Sequence, residues 1–204
     1  MSNASPALTV PNMITLARLV CIPLFVVVFF LPFRWADVAG AAIFLVAGVT
    51  DALDGYLARR LQQTSRFGAF LDPVADKLIV ATALVMLVQE HATLWMAVPA
   101  IVIISREITV SALREWMAEI GARAKVAVSS LGKIKTVTQI TAITGLLAGK
   151  PAVAPDGSLS LTPFLWFSYV LLYVATILTL WSMISYLRAA WPEFWPRRRG
   201  RDEA

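Results

Sequence analysis

One cysteine and one histidine occur in 204 residues. Cys21 sits in an apolar run with no partner, which excludes a disulfide framework and any cysteine-based metal site and leaves it as a small packing residue. His91 lies in a polar break between two apolar runs, where a solitary histidine reads as a surface residue, and no role is assigned to it. Charge is scarce as well. Asp, Glu, Lys and Arg make up 15% of the chain against 58% hydrophobic residues, and the mean hydropathy is +0.71. That balance excludes an ordinary soluble domain, in which about 25% of residues are charged. No internal repeat is visible, and no loop is long enough for a separate soluble domain. The first eleven residues lack a basic n-region, and the apolar run behind them lacks a small-residue cleavage site, so a cleaved signal peptide is not expected.

What the chain has instead is a succession of apolar stretches: Met13 to Phe33, Trp35 to Ala58, Leu71 to Val88, Thr93 to Leu113, Val126 to Gly149 and Leu161 to Leu187. Most approach or exceed the roughly 20 residues that an α-helix needs to cross about 30 Å of hydrocarbon. The breaks "LPFRW", "QEHAT" and "GKPAVAPDGSLSLTP" carry the residues that end helices and make turns. The expected fold is an all-α integral membrane protein of six transmembrane helices, forming one domain over residues 1–204.

Six spans put both termini on one side. Arg18, Arg59, Arg60, Arg66, Arg123, Lys125 and the "RRRGR" of residues 197–201 fall on that side, against Arg34 and Lys150 on the other. Basic residues gather on the cytoplasmic face, so the termini are expected there. The formal net charge of +5 reads as a rim beside anionic lipid headgroups rather than as a nucleic-acid surface. The tail, residues 191–204, sets interfacial tryptophans ahead of a charged end.

One region breaks the scarcity of charge. Residues 51–76 read D51-x-x-D54-G55-x-x-A58-R59, eight residues, then G68-x-x-x-D72-x-x-x-D76. A charge within a span costs about 2.5–3.5 kcal/mol on insertion scales, so a cluster of them marks a water-filled functional cavity. On a helix Asp51 and Asp54 share a face with Gly55 and Ala58, and Asp72 and Asp76 share a face on the next. Pro73 suits a first helical turn, which places Asp72 near the start of the third span. Four carboxylates in one low-dielectric cleft repel one another and tend to protonate. Two divalent cations offset that repulsion, and all-oxygen ligands without His or Cys point to Mg²⁺ or Mn²⁺. A two-metal clamp suits a phosphate group. Gly55, Ala58 and Gly68 leave the backbone bare beside a bulky ligand, and the guanidinium of Arg59 matches phosphate. Small residues alone would read as close helix packing, and intramembrane acids alone as an ion path.

The full constellation resembles, at every fixed position, the signature of the CDP-alcohol phosphotransferase family. The likeness extends through "PNMITLARLVCIPLF", "FGAFLDPVADK", "SREITVSALREWMAEIG" and "VAVSSLGKIKTVTQ", covering roughly residues 8 to 150. It implies a six-helix membrane enzyme, commonly a homodimer, that transfers a phosphatidyl group from a CDP-linked lipid to an alcohol and releases CMP. By the same resemblance Asp51, Asp54 and Asp72 hold the two metal ions, and Asp76 completes the site and acts as general base. Asn12, Thr15, Gly55, Ala58, Arg59 and Gly68 would bind CDP-diacylglycerol. "SREI" and "GKIKT" resemble the branch whose acceptor is sn-glycerol 3-phosphate, whose phosphate needs a basic pocket; Arg106, Arg114, Lys133 and Lys135 are the candidates, Arg106 and Lys135 foremost, with Glu107 able to pair with an arginine. The expected location is a bacterial cytoplasmic (inner) membrane, with the active site and both termini on the cytoplasmic side. Membrane lipids are the surroundings and nucleic acid is not a partner. The alternatives are the same reaction with another acceptor, as in a cardiolipin synthase of this fold or an inositol phosphate enzyme, and an ion transporter, for which acids spread through the membrane depth and repeats would be expected.

Overall fold

The structure, a computed structural model, describes residues 10–33, 35–61, 66–122, 131–153 and 159–194. Within these, the side chains of residues 10–12, 51–61, 66, 67, 69, 131–133, 152, 153 and 159 lie outside the description. Six helices follow in order: α1 (Val10–Phe29), α2 (Ala36–Leu61), α3 (Arg66–His91), α4 (Leu94–Glu119), α5 (Leu131–Ala148) and α6 (Pro163–Phe194). The α5–α6 connection holds one two-residue antiparallel pair, β1 (Ala152–Val153) with β2 (Leu159–Ser160).

Local chemistry explains several boundaries. Thr162 accepts the Leu165 N–H at 3.3 Å through its hydroxyl, and Pro163 follows at the first helical position, where its missing N–H costs nothing. The end of α4 is a Schellman turn: the Ala122 N–H reaches the Met117 carbonyl at 2.8 Å and the Gly121 N–H the Ala118 carbonyl at 3.1 Å. Gly121 takes φ +76° there, a conformation open to glycine because a Cβ would meet the following carbonyl. Between α3 and α4, Ala92 adopts φ 45° and bonds back to the Val88 carbonyl at 2.9 Å, which makes the two-residue turn possible.

Pro73 does not open a helix. The helix α3 begins seven residues earlier, at Arg66, and Pro73 lies inside it; Asp72, just before the proline, is held to α1 by the Thr15 hydroxyl.

Short connections make successive helices antiparallel. Packing runs α1–α2–α5–α6–α4–α3 and back to α1, with α3 also touching α2 and α5. The main core lies inside this ring and joins Phe25, Phe44, Ile79, Leu84, Leu87, Met96, Ile103, Ile143, Leu146, Leu165 and Leu172. A second cluster, Val110, Leu113, Met117, Tyr186 and Ala190, closes the α4–α6 seam. Close approach of α5 to α6 depends on Gly145, where a Cβ would run into the Ser168 side chain.

The outer surface is apolar. Val27, Phe30, Ile101, Ile108, Phe167, Ile177 and Trp181 are 59–66% exposed, more apolar surface than a water-soluble monomer presents. Among the described residues, two helices, α4 with 26 residues and α6 with 32, are long and apolar enough to cross a membrane by themselves. The six expected spans are six helices, and these two meet that measure.

The bundle end formed by the start of α2 and the ends of α3 and α5 is tied by Lys150, 2.9 Å from Asp37 and 3.7 Å from Glu90. The Asp37 hydrogen bond, with help from the Glu90 charge, raises the Lys150 ammonium above its ordinary value. His91, expected at the surface, is 1% exposed. Its Nδ1 lies 2.7 Å from the Tyr169 hydroxyl, because the turn after it is too short to carry the imidazole clear of α6.

Replacing Gly121 with Ala forces a Cβ into the left-handed region with no compensating contact, and should destabilise the protein by about 1 kcal/mol. Ala92→Gly should have the opposite sign. Midpoints of thermal unfolding in detergent check both.

Candidate functional site

The opposite end of the bundle is built from the beginnings of α1, α3 and α5 and the ends of α2, α4 and α6, so both sequence clusters fall there. On α1, Thr15 is fully buried, and its hydroxyl donates to Asp72 Oδ1 of α3 at 2.5 Å. This bond fixes one carboxylate of the signature against the first helix. Asp76, one turn further along α3, is exposed, and Gly68, one turn before Asp72, is buried. Asp51, Asp54, Gly55, Ala58 and Arg59 lie on the continuous helix α2, with Asp51 and Asp54 three residues apart and so on one face. Their side chains, like that of Asn12, are outside the described residues.

Arg18 was counted with the basic rim, yet it is 2% exposed. Three residues after Thr15, it shares that face of α1 and turns inward with it. Inward-facing charge on a helix otherwise so apolar is a functional signal, and its spacing from Thr15 was the clue available in the sequence.

The second cluster lies between α4, α5 and α6. Glu107 Oε1 accepts from Arg106 Nη1 at 2.8 Å and from Lys135 Nζ at 2.6 Å. Arg106 and Lys135 are 8% and 5% exposed, so the carboxylate ties together two buried cations from different helices. Arg106 Nη2 also donates to Ser182 of α6 at 3.0 Å. Two turns along α4, Arg114 donates to the Tyr186 hydroxyl. Both guanidiniums lie over the Tyr186 ring, with centroid distances of 4.7 Å to Arg114 and 6.0 Å to Arg106, a cation–π arrangement that helps to hold them.

Three of the four basic candidates, Arg106, Arg114 and Lys135, thus meet in one place, while the Lys133 side chain lies outside the described residues. Three cations against one carboxylate leave two positive charges uncompensated within this group. Holding them inside the bundle is costly unless an anion is available. Ser182 and Tyr186 belong to this cluster too. Nothing in an apolar stretch of α6 distinguishes them from packing residues until α4 is laid beside it.

Residues 8–181 match the family model described as CDP-alcohol phosphatidyltransferase, and the chain belongs to that family. Three curated relatives carry the same name. A protein of Yersinia pestis (strain Pestoides F) named CDP-diacylglycerol–glycerol-3-phosphate 3-phosphatidyltransferase is 52% identical over 91% of this chain and 97% of its own length. A Pseudomonas fluorescens protein of the same name is 52% identical over 91% of each chain, and one from Salmonella paratyphi A is 50% identical over 89% of this chain and 94% of its own.

Glu107→Gln removes the carboxylate shared by Arg106 and Lys135. Two buried cations then face each other without a neutralising charge, and the loss of stability should be about 3 kcal/mol, read as a fall in the thermal midpoint in detergent. Adding inorganic phosphate should restore part of it.

Proposed function

We propose that this protein transfers the phosphatidyl group of CDP-diacylglycerol to sn-glycerol 3-phosphate, yielding phosphatidylglycerophosphate and CMP. The observation that carries this reading is the convergence of Arg106 and Lys135 on one glutamate, with Arg114 joined to Arg106 through the Tyr186 ring, at the bundle end that also holds the aspartate signature. Its two surplus positive charges match a phosphate monoester, which is close to a dianion above its second pKa of about 6. A neutral or lipidic acceptor leaves those charges without a purpose. The names of the relatives support the same acceptor.

The donor set of the signature fits hard divalent cations: four carboxylates with neither histidine nor cysteine among them, one of them oriented by the Thr15 hydroxyl. Two ions, Mg²⁺ or Mn²⁺, held by Asp51, Asp54, Asp72 and Asp76, would supply charge stabilisation at the pyrophosphate. Gly55, Ala58 and Gly68 leave room for the CDP moiety, with Arg59, Asn12 and Thr15 as its polar contacts. Arg106 and Lys135, supported by Arg114 and Lys133, bind the acceptor phosphate and direct its free primary hydroxyl towards Asp76. Asp76 takes the hydroxyl proton as the oxygen forms its bond to the β-phosphorus; the bond from that phosphorus to the bridging oxygen breaks, and CMP leaves with the electron pair.

All six helices span the membrane in this reading, as one domain, with water reaching the aspartates from the cytoplasmic side. Charge within α2, α3 and α5 then lines the site rather than facing lipid. The setting is a bacterial inner membrane and the assembly a homodimer.

Detergent-purified protein supplied with CDP-diacylglycerol should release CMP with sn-glycerol 3-phosphate and not with serine, inositol phosphate or phosphatidylglycerol. Excess chelator should abolish release, and Mg²⁺ or Mn²⁺ should restore it. Release with one of the other acceptors alone would overturn the acceptor assignment.

Two substitutions separate the two halves of the site. Arg106→Ala should raise the KM for glycerol 3-phosphate tenfold or more, by about 1.4 kcal/mol of lost binding, with a much smaller effect on CDP-diacylglycerol. Asp76→Asn should instead lower kcat by about 100-fold. Equal effects of Arg106→Ala on both substrates would make that arginine structural.

A further inference from the structure

Two polar side chains lie one turn deeper in the bundle than the basic cluster and have no role in the reaction as derived above. Gln139 follows Lys135 by four residues on α5, and Thr179 precedes Ser182 by three on α6. The two helices run in opposite directions, so both positions lie on the same, inner side of the cluster. Both are enclosed: Gln139 is 6% exposed and Thr179 0%. The Gln139 amide oxygen and the Thr179 hydroxyl are each buried without a hydrogen-bond partner. Thr179 contrasts with three other hydroxyl residues of its helix. Ser168, Thr176 and Ser185 satisfy themselves on the carbonyl four residues back, at 3.0, 2.8 and 3.0 Å, whereas Thr179 forgoes that bond.

A buried acceptor and a buried hydroxyl left open on two facing helices form the recognition pattern for a group that both donates and accepts, which is an alcohol. The neighbouring charges say what the alcohol is attached to. One helical turn rises about 5.4 Å, a span comparable with the reach from a phosphorus atom, across its ester oxygen and two carbons, to a secondary hydroxyl.

We propose that Gln139 and Thr179 read the secondary hydroxyl of a phosphorylated polyol whose phosphate sits on Arg106 and Lys135. This hydroxyl donates to Gln139 Oε1 and accepts from Thr179 Oγ1, and it does not react. Fixing it together with the phosphate defines two points of the acceptor, so the remaining primary hydroxyl has one direction left, and the configuration at the central carbon is selected. The inference rests on the transfer to glycerol 3-phosphate proposed above and deepens it by assigning acceptor specificity to residues outside the charged set.

The test compares two acceptors that differ in this hydroxyl alone, sn-glycerol 3-phosphate and 3-hydroxypropyl phosphate, by CMP release from CDP-diacylglycerol with the full chain in detergent. The wild type should favour the natural acceptor by about 10- to 100-fold in kcat/KM, the range expected for a buried hydrogen bond left unmade. Gln139→Leu and Thr179→Val should each shrink that preference several-fold, leaving the KM for CDP-diacylglycerol in place. Thr179→Val is nearly isosteric and removes an orphaned polar atom, so it keeps the assignment testable if the leucine variant does not fold. Equal loss with both acceptors, or a wild type indifferent to the missing hydroxyl, would overturn the assignment. No CMP from either acceptor would instead overturn the transferase reading, and this assignment with it.

Discussion

The structure depends on the need to pair charge inside an apolar bundle. Glu107 meets Arg106 of its own helix and Lys135 of α5 through a single oxygen, and that contact joins two helices separated in sequence by the whole α4–α5 connection. In a low-dielectric surrounding an unpaired ion is far more costly than a lost apolar contact. The contact reaches between α4 and α5 where the two helices do not pack directly on each other, so the ion pair itself links them. Arg114 and Tyr186 form a polar link between α4 and α6, and Thr15 with Asp72 between α1 and α3. Each pairing lies at the same end of the bundle, which leaves the opposite end to the simpler Lys150, Asp37 and Glu90 bridge.

Charge in α2, α3, α4 and α5 is gathered towards one end of the bundle, while much of the described outer surface is apolar. In the proposed reaction the two polar groups divide the task, with the aspartates at the CDP-lipid and the basic cluster at the acceptor, and the antiparallel order of the helices brings them to one end.

Some features were legible because they follow from local rules. Six helices could be read from six apolar runs, and their breaks from Pro, Gly and polar residues. Offsets of three and four placed the aspartates on common faces, and fixed spacing tied them to a family that the relatives then established. Other features were not. His91 and Arg18 look like boundary residues by position, and both are buried, since burial depends on what a neighbouring helix places over a side chain. Pro73 looked like a helix start and lies within α3, where the residue before it is bonded to α1 across 57 positions of sequence.

By itself the sequence determined the family, the number of helices and the spacing of the carboxylate signature along two of them, all of which rest on composition and on short, fixed offsets. Only the tertiary structure decided which polar residues meet. That Arg106, Arg114 and Lys135 converge, that Glu107 bridges Arg106 and Lys135, that Ser182 and Tyr186 complete the group, and that Gln139 and Thr179 are left open beside it depend on the packing of α4, α5 and α6. Those contacts join residues up to 76 positions apart, and no local pattern encodes the angle and register at which three helices pack.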